Sequence, residues 1–298
     1  MAKKEQKQPK SPTLSEAIDA YIEKRDAVLS PATIRGYRNI QKSWFRDTMG
    51  RKLADIKPGD WQGICNRESR LCQPKTLKNA WGFVSSVIYE ETGEKPPKVK
   101  LPQIVSNDRP FLEPEQIRPF IEAVHGTNVE IEALLALSSL RRSEILALTW
   151  DHIDLDKKII RVSGAAVPNE RHRLEFKETN KNTSSNRAVP IMIDELETAL
   201  TAAQRPSGRV VACNEDTIIR RINRVCEANG LPLVGIHGLR HSFVSLAYHL
   251  GVPEKVVMEI GGWSDYQTMR RIYTHVARSD VSKYTDEFKV FFSADRED

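Results

Sequence analysis

The chain has 298 residues, 40% apolar and 29% charged, with a formal net charge of +5. That is enough apolar content to bury a core and enough length for two domains. No apolar run approaches the roughly 18 residues of a bilayer span, and the opening MAKKEQKQPK lacks the apolar middle of a signal peptide, so a cytoplasmic protein without a membrane partner is expected. Cys65, Cys72, Cys213 and Cys226 are scattered without a C-x-x-C pair, which suggests neither a disulfide framework nor a zinc site. The charge is uneven: residues 1–110 hold 21 basic and 13 acidic side chains, the remainder 24 and 27. A polyanion partner is therefore expected for the N-terminal part.

Residues 1–12 form a Lys-rich tail too polar to pack. Thr13 opens a capping box with Glu16, and Leu14, Ala17, Ile18, Tyr21 and Ile22 follow at helical spacing. Ser30-Pro31 starts a second helix with Ile34, Tyr37, Ile40 and Trp44 on one side and Arg35, Arg38, Lys42 and Arg46 on the other. A third helix follows Gly59-Asp60, and a fourth runs from about Lys75 to Glu91 with Trp81, Val84, Val87 and Ile88 inward. Residues 13–93 thus read as a four-helix module with basic outer faces. The stretch 94–110 carries four prolines and little periodicity, and reads as an extended basic linker.

From residue 111 to the end the pattern is mainly helical with a small antiparallel sheet. A helix starts at Glu113-Pro114, and an apolar helix from Val129 to Leu140 runs into LRRSEILALTW. The runs KKIIRV, RLEF and RAVPIMI are read as strands of one sheet, with Lys181 in a polar hairpin loop, NKNTSSN. Helices resume at Asp194–Ala203, at Asp216–Asn229 and through Gly235–His275. Within that last stretch His237, Arg240 and His241 lie three and four apart on one helical face, and Trp263, Tyr273 and His275 follow. Cations to hold oxygens and a phenol to attack suit phosphate chemistry without a metal. The tail from Asp280 is amphipathic, with Val281, Tyr284, Phe288 and Phe291 or Phe292 as its apolar stripe.

Arg141-Arg142-Ser143-Glu144, Lys181 ahead of Arg187-Ala188-Val189-Pro190, His237-Gly238-Leu239-Arg240-His241, and Gly262-Trp263 with Tyr273-Thr274-His275 resemble, in order and spacing, the motifs of the tyrosine recombinase (phage integrase) family. The resemblance covers residues 111–298 as an α+β catalytic domain and, through weaker motifs, 13–93 as a helical, SAM-like core-binding domain. It implies a catalytic set of Arg141, Lys181, His237, Arg240, Trp263 and Tyr273. In that set the arginines bind the phosphate, Lys181 protonates the departing 5′ oxygen, His237 serves acid/base and phosphate-binding roles, and Tyr273 is the nucleophile. Trp263 stands where most members have histidine, and Ser139 where most have glycine. Glu144 is expected to pair with an arginine or cap a helix.

The same resemblance implies cutting and rejoining of DNA through a 3′-phosphotyrosyl link, without metal or other cofactor, for integration or excision of a phage or mobile element. The implied partners are double-stranded DNA, three further copies of the chain in a tetramer docked through the C-terminal helix, and accessory DNA-bending or directionality proteins. Arg35, Arg38, Lys42, Lys75, Lys78, Lys98 and Lys100 are the expected DNA contacts. Two other readings share the fold: a DNA-binding protein that has lost catalysis, and a type IB topoisomerase-like enzyme.

Overall fold

The computed structural model describes residues 11–105, 110–171, 173–177, 186–267, 269, 285, 288–290 and 292. Its contacts divide the chain into two units, residues 1–107 with 167–175, and residues 108–166 with 176–298.

The first unit contains α1 (Leu14–Glu23), α2 (Pro31–Ser43), α3 (Arg46–Met49), α4 (Asp60–Glu68) and α5 (Pro74–Thr92). The capping box starts α1: Thr13 N donates to Glu16 Oε2 at 2.8 Å, and Glu16 N to Thr13 Oγ1 at 3.2 Å. Ser30 caps α2 in the same way, accepting from Thr33 N at 3.1 Å. Ile34, Tyr37, Ile40 and Trp44 turn toward a core that includes Phe45, Trp61, Trp81 and Val84, and Tyr37 stacks on Phe83 with centroids 3.8 Å apart.

Helix α2 is shorter than its pattern suggested. Trp44 is extended and Phe45 left-handed (φ 55°), so Arg46 begins a separate one-turn helix instead of extending the basic face. The gain is burial of Phe45, 1% exposed, which a continued helix would have pointed elsewhere.

Part of the stretch after α5 is fastened down. Val99 and Leu101 pack on the first unit's core, and the Gln62 amide holds Lys100 from both sides, accepting from its N–H at 2.9 Å and donating to its carbonyl at 3.0 Å.

The second unit contains α6 (Pro114–Val124), α7 (Glu130–Leu137), α8 (Arg142–Ala147), α9 (Asp194–Ala203), α10 (Glu215–Ala228), α11 (Ile236–His249) and α12 (Glu254–Gly261). Strands β1 (Ile153–Asp154), β2 (Ile159–Val162) and β5 (Arg187–Pro190) form an antiparallel sheet in the order β1-β2-β5, with Ile160 opposite Val189. The run around RLEF does not join it. As β4 (Leu174–Lys177) it pairs with β3 (Ala165–Pro168) in a separate two-stranded sheet, while β2 has β1 and β5 as its neighbours.

The 235–275 stretch is not one helix. Gly251, at φ 66°, and Pro253 end α11 and reset the chain for α12. Helix α11 lies against α7 through small residues, Gly238, Ser242 and Ser245 being buried. Gly238 is needed there: a Cβ would meet the Pro110 carbonyl oxygen.

Helix α7 also ends earlier than expected, at Leu137, because Ser139 is left-handed at φ 74°. Its Oγ is buried without a partner. Replacing Ser139 with glycine removes both penalties, the Cβ clash of the left-handed region and the unsatisfied hydroxyl. Net of glycine's extra freedom in the unfolded chain, the gain should be about 0.5–1 kcal/mol, or a melting temperature roughly 1–3 °C higher by circular dichroism. A lower melting temperature would show that the serine is held by something other than shape.

Candidate active site

The turn at Ser139 aims Arg141 into a pocket formed with the C-terminal end of α12. Arg141 is the N-cap of α8, and its own capping box is unusual in being ionic. Glu144 Oε2 accepts from the Arg141 backbone N–H at 2.8 Å, and Oε1 from Arg141 Nη1 at 2.6 Å. Glu144 thus fulfils both expected roles at once, pairing an arginine and capping a helix. Arg141 Nη2 donates to the Gly262 carbonyl. Arg142, excluded from the catalytic set by its motif position, turns away to Glu215 at 2.8 Å.

Arg187 approaches Glu144 from β5. Its Nη1 and Nη2 donate to Oε1 and Oε2 at 3.0 and 2.9 Å, the parallel fork that guanidinium and carboxylate form best. Its Nε donates to the Ile260 carbonyl at 2.7 Å. The Glu144 side chain is 2% exposed and that of Arg187 5%. Burial by itself would raise the Glu144 carboxyl, but the hydrogen bonds and charge of Arg187, then those of Arg141, outweigh it and hold the carboxyl below its ordinary value.

A carboxyl lowered in the folded state stabilises the fold above its unfolded pKa of about 4.3, and that contribution disappears as pH falls through the lower native value. The melting-temperature gap between wild type and Glu144→Gln should accordingly be widest above about pH 4.3 and close toward more acid pH. Parallel melting curves across that range would contradict the assignment.

Arg240, on α11, is 4% exposed. Its Nη2 donates to the Gly261 carbonyl at 2.7 Å and its Nη1 to the Ser139 carbonyl. The Trp263 ring lies over its guanidinium at 3.8 Å, a cation–π contact. That stacking requires a glycine at 261, where any Cβ would run into the Trp263 ring. Burial, and then the Arg141 charge, push the Arg240 guanidinium well below its ordinary value, Glu144 acting against them. A guanidinium does not release its proton near neutrality, so Arg240 stays charged in its buried position.

The structure therefore brings Arg141, Arg240 and Trp263 together around the Gly261-Gly262 carbonyls. His237, in the first turn of α11, is exposed, whereas His241 is half-buried. Lys181 and Tyr273 lie outside the described residues. Met269, four residues before Tyr273, is fully buried with Val244, Ala247 and Val257.

Of the expected DNA contacts, Lys42, Lys75, Lys78, Lys98 and Lys100 are exposed and Arg35 is half-buried. Arg38 has its charge engaged, donating to Asp19 and to Gln41 at 3.0 Å.

The sequence reading gave Arg187 no role. The signal was its parity with Val189: two residues apart on a strand, both face the same side, and an inward arginine needs a buried acid.

The Phage integrase family model matches residues 110–280, more than half of the chain. The chain belongs to the phage integrase family. Members of this family are tyrosine recombinases, enzymes that cut and rejoin DNA.

Among relatives of this phage integrase family member, the integrase of Salmonella phage P22 is 23% identical over 205 residues, covering 67% of this chain and about half (52%) of that protein. The tyrosine recombinase XerC-like protein of Caldanaerobacter subterraneus subsp. tengcongensis is 26% identical over 83% of this chain and 74% of its own length. Tyrosine recombinase XerC of Corynebacterium glutamicum is 26% identical over 87% of each.

Among solved structures, the Tn1549 transposon integrase in complex with transposon right end DNA has the same fold, with a TM-score of 0.68 at 19% identity over 91% of this chain and 99% of that one. A lambda integrase tetramer bound to a Holliday junction gives 0.59 at 15% identity over 88% and 77%. The fold expected from sequence, mainly helical with a small antiparallel sheet, is the fold observed.

Proposed function

We propose that this protein is an active site-specific DNA recombinase that cuts one strand at a time by attack of Tyr273 on a phosphodiester, leaving a 3′-phosphotyrosyl link and a free 5′ hydroxyl. The observation that carries this reading is the Arg141–Arg240 pocket. Two buried or half-buried guanidiniums, braced by backbone carbonyls, supply what a pentavalent phosphorane needs, fixed positive charge in a low-dielectric site. Lys181 protonates the departing oxygen, His237 supports proton transfer at the phosphate, and Trp263 donates its indole N–H to a phosphate oxygen. Holding two guanidiniums together costs mutual repulsion, and an incoming phosphodiester relieves that cost.

The substrate is duplex DNA at attachment or crossover sites, gripped through the exposed lysines of the first unit. Integration and excision of a mobile element is the role supported by likeness to the P22 and Tn1549 integrases. The working assembly is a tetramer. Phe288, Val290 and Phe292 are exposed at the C-terminus, and an apolar cavity of about 410 Å³ lined by Ile117, Ile121, Leu137, Phe243, Leu246 and Val252 is a fitting acceptor for that segment of a neighbouring copy. The site of action is the cytoplasm; no described helix is long and apolar enough to cross a membrane.

The test is incubation with a nicked half-site duplex drawn from the DNA that flanks the gene. A protein–DNA adduct should survive denaturing electrophoresis and disappear on protease treatment. Tight binding to that duplex without any adduct would overturn the reading in favour of a non-catalytic DNA-binding protein.

A further inference from the structure

The Glu144 carboxylate poses a difficulty for a phosphate site. It is buried, ionised and 2.6 Å from the Nη1 of Arg141, so by itself it would cancel much of the charge that Arg141 must offer to a phosphodiester. Resting on the recombinase reading above, we propose that Arg187 is a positioning residue for strand cleavage: it occupies both oxygens of Glu144, so that Glu144 orients Arg141 without neutralising it.

Three features lead there. Arg187 is engaged on all three nitrogens by Glu144 and Ile260, and with 5% of its side chain exposed it is not presented to DNA. It acts through other residues rather than on the substrate.

The charge balance follows from the same contacts. Arg141, Arg187 and Arg240 surround one carboxylate, leaving two positive charges in excess where a pair of Arg141 and Arg240 with Glu144 would leave one.

Arg187 also fixes the main chain that holds the other two arginines. Its Nε secures the Ile260 carbonyl, immediately before the Gly261 and Gly262 carbonyls that receive Arg240 and Arg141. The Gly262 backbone lies directly on its guanidinium: a Cβ there would come within 2.9 Å of Nη1. In the other direction Arg187 opens β5, six residues after Lys181 in the sequence, and ties the start of that strand into the arginine pocket.

The experiment uses the full chain and the nicked half-site duplex, with adduct formation followed under single-turnover conditions, affinity by gel shift and folding by thermal melting. Arg187→Met keeps length and packing but removes the fork. Its cleavage rate should fall about 10²-fold while affinity changes by less than about threefold. Adding Glu144→Gln to Arg187→Met should recover at least about tenfold of the rate, since no carboxylate then remains to offset Arg141. Arg187→Lys, which keeps the charge without the fork, should fall between wild type and Arg187→Met.

Cleavage by Arg187→Met at the wild-type rate, or a double variant no faster than the single one, would overturn the proposal. Should Arg187→Met fail to fold, Arg187→Lys decides: slower cleavage at unchanged affinity supports the role, and a wild-type rate removes it. Wild-type protein that binds the duplex and forms no adduct would instead bring down the recombinase reading itself, and this role with it.

Discussion

Tyr273→Phe should bind the half-site duplex as wild type does and form no covalent adduct at all. The substitution removes one oxygen and leaves the ring, so packing and charge are unchanged, and any loss belongs to the chemical step. In the proposed mechanism that oxygen is the atom bonded to phosphorus after attack, and a phenyl ring offers no substitute for it. A free phenol titrates near pH 10, so the rate of the wild-type reaction at neutral pH depends on cations that favour its ionised form. An undiminished adduct in Tyr273→Phe would mean that another nucleophile operates and would remove the central claim of the mechanism. Reduced binding in the variant would show that the hydroxyl serves structure instead.

Arg240→Ala should lower the single-turnover cleavage rate by roughly 10²–10³-fold or more, the scale seen when one preorganised charge donor is taken from a transition-state site. The structure adds a second consequence. Arg240 bridges the Ser139 turn to the Gly261 carbonyl beneath Trp263, so truncation leaves two buried carbonyls without donors and a void under the indole. Stability should fall by about 2–4 kcal/mol, and kinetics must be compared at a temperature where both proteins are folded. Arg240→Lys separates the two effects, because an ammonium restores charge but cannot span both carbonyls. Cleavage within tenfold of wild type by folded Arg240→Ala would show the arginine to be a brace only. Loss of DNA binding alone would give it an affinity role rather than a catalytic one.

What could be read in the sequence was what depends on neighbours along the chain. The Thr13–Glu16 box, the Ser30-Pro31 start of α2, the apolar face of α5 and the alternation of β2 and β5 all follow from local spacing, and all are present. The misses share a different cause. Phe45 and Ser139 adopt left-handed conformations that their residue types disfavour, because tertiary burial outweighs a local cost of about 1–2 kcal/mol. β3 reads as Ala-Ala-Val-Pro, too weak a pattern to announce a strand, and exists through its pairing with β4. Within the site, family motifs pointed to Arg141, Arg240 and Trp263, whereas strand parity marks Arg187 as inward without naming its partner, Glu144, which lies 43 positions away. The stacking of Trp263 on Arg240 was equally hidden, since it depends on a missing side chain at Gly261.

The three arginines share one further property. Among the described residues, main-chain oxygens of Ser139, Ile260, Gly261 and Gly262 hold them alongside Glu144. A carbonyl belongs to the main chain, so these anchors depend on the path of the backbone and on chain length, while Gly261 and Gly262 are held to glycine by the Trp263 ring and the Arg187 guanidinium. Insertion or deletion of a single residue between Val257 and Ile260 would rotate the carbonyls of Ile260, Gly261 and Gly262 out of place and loosen all three arginines together. The pocket is thus written in the path of the backbone as well as in its side chains, and a site of that kind forbids change in spacing.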